Sequence, residues 1–225
     1  MVNKINIGTN NISGVKIGST NVSAVYIGDT MVYGGSSSRL PEGYTEVEYV
    51  QNTGSSTVNL GIQLMKNTSD SFSVVYENEM TWTSGGGNLQ TFLTCAKETS
   101  PYPGWYERFD NSGNHVLGGY MMNFTTGRTN VSGSVYHVTV SCTQVSSRSH
   151  DYPLNLFSSL DSTKTPWRFC KGKLYNMKVT YNNVLVRDLV PCTNPSNVAG
   201  FYDLVNDVFY TSVSGYDALV AGPNV

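Results

Sequence analysis

The first 35 residues repeat a short pattern of aliphatic and polar positions. Residues 4–13, 14–23 and 24–33 align without gaps at a period of ten, with aliphatic residues at the second, fourth and ninth positions and glycine at the fifth. Residues two apart face the same side of a strand, and glycine followed by polar residues opens a turn. Each unit therefore predicts a small strand-turn-strand hairpin whose return strand begins at the ninth position. The aliphatic positions are Ile5, Ile7, Ile12, Val15, Ile17, Val22, Val25, Ile27 and Val32.

Such a hairpin cannot bury its own apolar face, because two-stranded units are marginal in water. We therefore expect residues 1–35 to form an anchor or oligomerisation segment, with these aliphatic side chains at the interface. The alternative is an ordinary small sheet folded back on the main domain.

Residues 36–39 are predicted to be a linker, since Gly34–Ser38 is glycine and serine only. From residue 40 to 225, segments of alternating apolar and polar residues are separated by turn residues, and no stretch keeps a helical period. This pattern predicts an all-β domain, an antiparallel two-sheet jelly-roll sandwich. The predicted strands are 44–50, 57–62, 71–79, 90–95, 104–109, 115–122, 134–145, 154–157, 173–181, 184–190, 200–202 and 208–210.

Composition removes several function classes. With 14 Lys and Arg and a net charge of −2, the chain lacks the basic surface that nucleic acid requires. No apolar run is long enough to span a membrane, and residues 1–6 lack the apolar core of a secretory signal. The four cysteines, Cys95, Cys142, Cys170 and Cys192, are widely spaced and are expected to be buried thiols, although three disulfide pairings remain open.

Catalytic motifs are weak. Glu46 and Glu48 lie two apart on one predicted strand, as the paired acids of jelly-roll glycosidases do, but no third acid follows. Glu77 and Glu79 repeat this spacing, and outward positions on amphipathic strands account for both pairs more simply. The three histidines lie far apart, and no spaced oxygen-ligand motif indicates a metal. We therefore predict a protein without catalytic residues, metal or cofactor.

A binding site is better supported. Between residues 82 and 122 the chain concentrates aromatic residues with amides and charged groups. Aromatic faces stack on the C–H surfaces of sugars, and planar amides and carboxylates bind hydroxyls. The alternative is that half of these aromatic residues belong to the core. The candidate glycan-binding residues are Trp82, Asn88, Tyr102, Trp105, Tyr106, Arg108 and Asp110.

Two segments resemble a known family. Residues 40–50 (LPEGYTEVEYV) with 57–61, and residues 172–179 with 185–192 and 200–210, are similar to concanavalin A-like (laminin-G-like) jelly-roll domains of gut-bacteriophage proteins. The ten-residue repeats resemble segments at one end of phage tail, baseplate and head-decoration proteins. The resemblance implies a particle protein whose repeats dock it and whose jelly roll faces outward, and it implies no catalytic residues.

We therefore expect a non-enzymatic virion protein, a head or tail decoration or fibre protein made in the bacterial cytoplasm. It would dock on other virion proteins, form a homo-oligomer such as a trimer, and bind glycans weakly. The alternatives are a purely structural decoration protein without an external ligand and, less favoured, a glycan-cleaving enzyme.

Overall fold

The structure is a computed structural model. It describes residues 15–17, 20–22, 24–27, 30–34, 39–67, 69–83, 89–96, 104–119, 123–126, 133–142 and 151–225, with the backbone alone for 15–34, 119 and 123–126. The chain divides into two compact units, Met1–Pro41 and Glu42–Val225. Within the described residues no helix is long and apolar enough to cross a membrane.

The smaller unit contains two hairpins that coincide with the second and third repeats. Strand β1 (Val15–Ile17) pairs with β2 (Thr20–Val22), and β3 (Ala24–Ile27) pairs with β4 (Thr30–Gly34). The return strands begin two residues earlier than predicted, at Thr20 and at Thr30. Six of the nine predicted interface positions lie on these strands: Val15, Ile17, Val22, Val25, Ile27 and Val32. The other three, Ile5, Ile7 and Ile12, lie outside the described residues.

The larger unit is made of strands. In chain order these are β5 (Thr45–Glu46), β6 (Val50–Asn52), β7 (Val58–Asn59), β8 (Phe72–Thr81), β9 (Gln90–Ala96), β10 (Gly104–Phe109), β11 (His115–Gly119), β12 (Asn123–Thr126), β13 (Val135–Cys142), β14 (Asn155–Leu156), β15 (Ser159–Leu160), β16 (Pro166–Trp167), β17 (Lys171–Tyr181), β18 (Val184–Thr193), β19 (Ala199–Asp203), β20 (Val208–Tyr210) and β21 (Val220–Ala221).

These strands form two principal antiparallel sheets. A five-stranded sheet has the order β11-β10-β9-β14-β7. A ten-stranded sheet has the order β12-β13-β8-β17-β18-β19-β20, with β5 on β18 and with β6 between β17 and β21. The all-β, antiparallel sandwich expected from the sequence is confirmed, and the jelly-roll topology stays a prediction.

Alternation along the strands explains how the sheets pack. Along β8, buried residues alternate with half-buried or exposed ones over ten positions. Aromatic contacts then join the two sheets, since Phe72 of β8 stacks on Trp105 of β10 with ring centroids 6.4 Å apart. Phe157, which follows β14, stacks on Phe201 of β19 at 6.5 Å. Burial of these faces is the main driving force for the fold.

A buried polar cluster also links the sheets. Glu107 of β10 is fully buried, and its Oε2 accepts hydrogen bonds from the Tyr76 hydroxyl at 2.6 Å and the Asn78 amide at 2.9 Å. Its Oε1 lies 3.0 Å from Nε2 of His115. A buried carboxylate is tolerated only with such partners, so this cluster fixes β8 of one sheet against β10 and β11 of the other.

Strands β17 and β18 match the predicted strands 173–181 and 184–190 and pair as a hairpin, with residues 182–183 as its turn. Asn182 and Asn183 have φ of 47° and 63°, the left-handed region that a tight two-residue hairpin turn requires and that asparagine tolerates. The predicted strand 184–190 is too short, because β18 continues through Pro191 to Thr193. Pro191 lies between Leu189, the last residue paired with β17, and Cys192, which pairs with β5, so its missing N–H breaks no ladder on that edge.

The predicted strand 44–50 is interrupted. Residues 45–46 pair with β18, whereas Val50–Asn52 pairs with β17, and Val47 between them bridges to Asn224. The change of partner separates Glu46 from the strand that follows, so residues 44–50 do not form one continuous strand. The four cysteines are buried thiols and form no disulfide, as expected.

Candidate functional site

Strand β10 divides the candidate glycan-binding residues between its two faces. Trp105, Glu107 and Phe109 are buried, whereas Tyr106 and Arg108 are half-buried on the opposite face. Trp105 has no exposed surface, so a sugar cannot stack on it, and its assignment to a glycan site is withdrawn. The reason is its place on the inner face, where it packs on Phe72.

The outer face of β10 is covered by its own side chains. The guanidinium carbon of Arg108 lies 4.0 Å from the centre of the Tyr106 ring, a cation–π contact. On the neighbouring strand Gly118 is opposite Tyr106, and a Cβ at Gly118 would lie 2.5 Å from that ring. Glycine thus makes room for the tyrosine ring, and the ring is packed between protein groups.

Asp110 organises a turn. Its Oδ1 accepts the backbone N–H groups of Ser112 at 2.9 Å and Asn114 at 2.8 Å, and its Oδ2 accepts the Asn114 amide at 2.9 Å. The Asn114 side chain is the first cause that holds the pKa of Asp110 below its ordinary value. Asp110 therefore acts first as a structural acceptor that closes the β10–β11 turn.

Trp82 packs on that same turn. A Cβ at Gly113, which has φ of 80°, would lie 2.7 Å from the Trp82 indole. Trp82 is half-buried and directly follows β8, so its indole links the β10–β11 turn to the end of β8. Asn88 and Tyr102, the remaining candidates, lie outside the described residues.

A surface cavity of about 320 Å³ lies at this end of the sandwich. We call it the Arg168 pocket, and its lining residues are Gly54, Thr83, Leu89, Gln90, Arg168, Phe169 and Lys171. It is built from three separate parts of the chain: the loop after β6, the two sides of the β8–β9 connection, and the segment that leads into β17.

Internal hydrogen bonds brace its walls. The Gln90 amide donates to the Thr83 carbonyl at 2.8 Å and accepts from the Thr83 N–H at 3.2 Å. The N–H of Thr91 donates to the carbonyl of Arg168 at 2.8 Å, and Thr91 forms an isolated bridge with Phe169. The pocket is therefore held by β9, which belongs to the five-stranded sheet.

Aromatic contacts orient Arg168 and Phe169, two residues of the pocket wall. The Arg168 guanidinium carbon lies 3.8 Å from the centre of the Trp167 ring, and the Phe169 ring lies 5.6 Å from that of Tyr216. Arg168 has φ of 52°, a left-handed conformation uncommon outside glycine and asparagine. Lys171 follows at the first position of β17 and is exposed.

The rim beside Gly54 carries an acid. Oδ2 of Asp217 accepts both the backbone N–H and the hydroxyl of Ser55 at 2.8 Å. The Ser55 backbone hydrogen bond is the first cause that lowers the pKa of Asp217. The carboxylate thus closes the loop at residues 54–55 against the C-terminal segment.

Three further acids, Glu77, Glu79 and Asp161, have structural partners. Glu79 pairs with Lys173 at 3.0 Å, and Glu77 accepts the Asn176 amide at 3.1 Å, both across the β8–β17 ladder. Asp161 accepts three hydrogen bonds from Thr163 and Thr165 within its own turn. Within the described residues no group of three or more His, Cys, Asp or Glu side chains could hold a metal ion.

Sequence reasoning missed Arg168 and Lys171, the basic residues of the pocket, because the pocket joins positions more than 100 residues apart. One signal was present. In a chain with 13% charged residues, Trp167-Arg168-Phe169 places a cation between two aromatic residues, and Lys171 follows closely. A second cavity, of about 290 Å³, has a described lining without charged side chains, made of Ser71, Phe72, Ser73, Cys142, Thr180 and Asn183.

Comparisons with protein-family models, curated proteins and solved structures gave no match.

Proposed function

We propose that this protein is a non-enzymatic particle protein that displays a β-sandwich and binds glycans weakly through the Arg168 pocket. The observation that carries the proposal is the lining of that cavity, in which Arg168 and Lys171 lie beside the Phe169 ring. Guanidinium and ammonium groups donate to sugar oxygens, and an aromatic face packs on sugar C–H groups. A concave surface with a few polar groups is the ordinary form of a small-ligand site.

The same lining supports a binding role without catalysis. Among the described residues that line the cavity there is no carboxylate and no imidazole, the usual groups for acid–base chemistry on a glycosidic bond. The candidate acid pair Glu77 and Glu79 faces β17 and is engaged there.

The particle role is supported by the smaller unit and by the family resemblance. Repeats that form short hairpins need a partner surface to bury their aliphatic residues. Docking on capsid or tail proteins, or on sister copies in a homo-oligomer such as a trimer, provides that surface. Many copies on one particle would raise a weak glycan affinity by avidity.

A glycan array probed with the full chain, clustered on streptavidin, tests the binding role. We expect binding to a subset of glycans and its loss in Phe169→Ala. Phe209→Ala is the matched control, because Phe209 is also half-buried and in contact with another ring, that of Tyr44, but does not line the pocket. Absence of binding by the clustered wild type would refute the glycan role and favour a purely structural decoration protein.

The particle role has its own test. A reconstruction of an intact phage particle should contain copies of residues 1–35 against neighbouring subunits, with the sandwich facing outward. A particle in which the sandwich is enclosed by neighbouring subunits would contradict display.

A further inference from the structure

We infer that the sandwich binds an internal water molecule at Asn155, and that this water donates a hydrogen bond to the side-chain oxygen of that residue. The site is formed by Thr57, Asn155 and Ser158, which are not among the residues that line the Arg168 pocket. The water site therefore does not depend on the proposed glycan binding.

Asn155 is a polar residue buried between two strands of the five-stranded sheet. It is 1% exposed, and it pairs with Thr94 of β9 on one side and with Asn59 of β7 on the other. The next residue, Leu156, belongs to the hydrophobic core. Because successive residues of a strand project to opposite faces, the Asn155 side chain projects away from that core.

The amide nitrogen of Asn155 has partners within the protein. Nδ2 donates to the Ser158 hydroxyl at 2.6 Å and to the Thr57 hydroxyl at 2.9 Å. These two hydroxyls are 2.8 Å apart, so one of them donates to the other. The three buried side chains thus form a closed triangle of hydrogen bonds.

The side-chain oxygen of Asn155 lacks such a partner. Oδ1 is buried and accepts no hydrogen bond from any residue that the structure describes. A buried acceptor that has left bulk water is costly unless another donor replaces the lost hydrogen bonds. Rotation of the amide by half a turn would not help, because Oδ1 would then face the Ser158 carbonyl, which lies 3.3 Å from Nδ2, and Nδ2 would lose its acceptors.

The triangle also has one donor more than it uses. Nδ2 carries two protons and each hydroxyl carries one. When Nδ2 donates to both hydroxyl oxygens and one hydroxyl donates to the other, the second hydroxyl proton has no acceptor within the triangle. Among the described residues, the hydroxyls of Thr57 and Ser158 form no other side-chain hydrogen bond than those to each other and to Asn155.

Water matches both needs of the triangle. It can donate to Oδ1 of Asn155 and accept the remaining hydroxyl proton, and a buried water molecule typically makes about three hydrogen bonds to polar groups of this kind. Because Asn155 is enclosed, a ligand for its oxygen must also be very small. Water is the smallest molecule that both donates and accepts.

Asn52 is a buried asparagine that protein groups satisfy alone. Its Oδ1 accepts the N–H groups of Gly54 at 2.9 Å and Ser56 at 3.2 Å, and its Nδ2 donates to the Cys170 carbonyl at 2.9 Å. Both ends of the Asn52 amide therefore have partners. Only one end of the Asn155 amide has them among the described residues.

A high-resolution crystal structure of the full chain tests the site. We expect an ordered water molecule at about 2.6–3.2 Å from Oδ1 of Asn155, with at least one further protein partner. Density without a water molecule at this oxygen would overturn the inference. A protein group that donates to Oδ1 in its place would overturn it as well.

A measurement in solution tests the same water. Magnetic relaxation dispersion of the oxygen-17 nucleus of water counts internal water molecules that exchange slowly. We expect Asn155→Leu to lower this count by one and Asn59→Leu, at the exposed position paired with Asn155, to leave it unchanged. Equal counts in the two folded variants would overturn the inference, and the wild-type crystal structure decides if Asn155→Leu does not fold.

Discussion

The hydroxyl of Tyr76 donates a hydrogen bond of 2.6 Å to Oε2 of Glu107, across the space between the two sheets of the sandwich. Glu107 is fully buried, so the carboxylate depends on protein donors in place of water.

Tyr76→Phe should therefore destabilise the protein strongly. It removes a donor to a buried carboxylate, and we expect a loss of about 1.5–3 kcal/mol in the free energy of unfolding, measured by urea denaturation. Tyr44→Phe is the control, because the Tyr44 ring packs on Tyr202 and Phe209 while no hydrogen bond of its hydroxyl occurs among the described residues. Equal effects of the two substitutions would contradict the role of the Tyr76–Glu107 bond.

Gly172→Ala tests the close approach of β17 to its neighbours. A Cβ there would clash with the Glu79 carbonyl of β8 and would lie 2.8 Å from the Phe92 ring. A backbone carbonyl in a central ladder cannot move aside, so we expect a loss of about 1–3 kcal/mol from overpacking, measured as above. Gly222→Ala should cost less, since its Cβ would meet the Tyr49 ring at 3.0 Å and that side chain can shift.

The cysteines should be unreactive in the native protein. Burial raises the pKa of the Cys95 and Cys192 thiols to about 12, so they stay protonated near neutral pH. Ellman's reagent should react slowly with the native chain and then with all four cysteines after unfolding without reductant. Fewer than four reactive thiols in the unfolded chain would indicate a disulfide.

The raised pKa values of these thiols also predict that the free energy of unfolding depends on pH in the alkaline range. An unfolded thiol ionises at about pH 8.5, whereas the buried thiols ionise only near 12. The unfolded state therefore loses protons first, and the free energy of unfolding should fall as pH rises through this interval. Cys95→Ser and Cys192→Ser variants should each show a shallower fall.

Asp217 should stabilise the loop beside the pocket only when it is ionised. Hydrogen bonds from Ser55 lower its pKa, so the contribution is complete above the ordinary carboxyl value of about 3.9 and is lost as pH falls through the lowered one. Melting temperatures of wild type and Asp217→Asn should differ at pH 5–6 and converge at about pH 2. Titration of the Asp217 carboxyl carbon by NMR at or above the ordinary value would contradict this prediction.

Removal of residues 1–35 should leave a folded, soluble monomer. The main core is formed by residues of the larger unit, so the fragment 36–225 keeps its buried aromatic contacts. Circular dichroism and light scattering after gel filtration check this outcome. Aggregation or loss of cooperative unfolding would mean that the repeats are required for folding of the sandwich.

Local patterns allowed much of the fold to be predicted from the sequence. The alternation along β8 and the Asn182-Asn183 turn depend on neighbours in the chain, and both are found where expected. The break at Val47 was not predictable, because it results from a change of pairing partner, and the bridge to Asn224 is formed by a residue 177 positions away.

The candidate site was harder for the same reason. Glu107 shares the inner face of β10 with Trp105 and Phe109, and a charged residue on that face conceals which face is buried. Its partner Tyr76 lies on a different sheet, so no local signal accounts for a buried carboxylate. The Arg168 pocket likewise joins loops that are remote in sequence.

The C-terminal strand of the larger unit lies against its beginning. Val220 and Ala221 pair antiparallel with Gln51 and Val50, and Val47 bridges to Asn224. Both ends of this unit therefore leave from the same end of one ladder. A force that pulls the two ends apart therefore loads the hydrogen bonds of this ladder one after another. The C-terminal strand should detach first, at low force and before the aromatic core is disturbed.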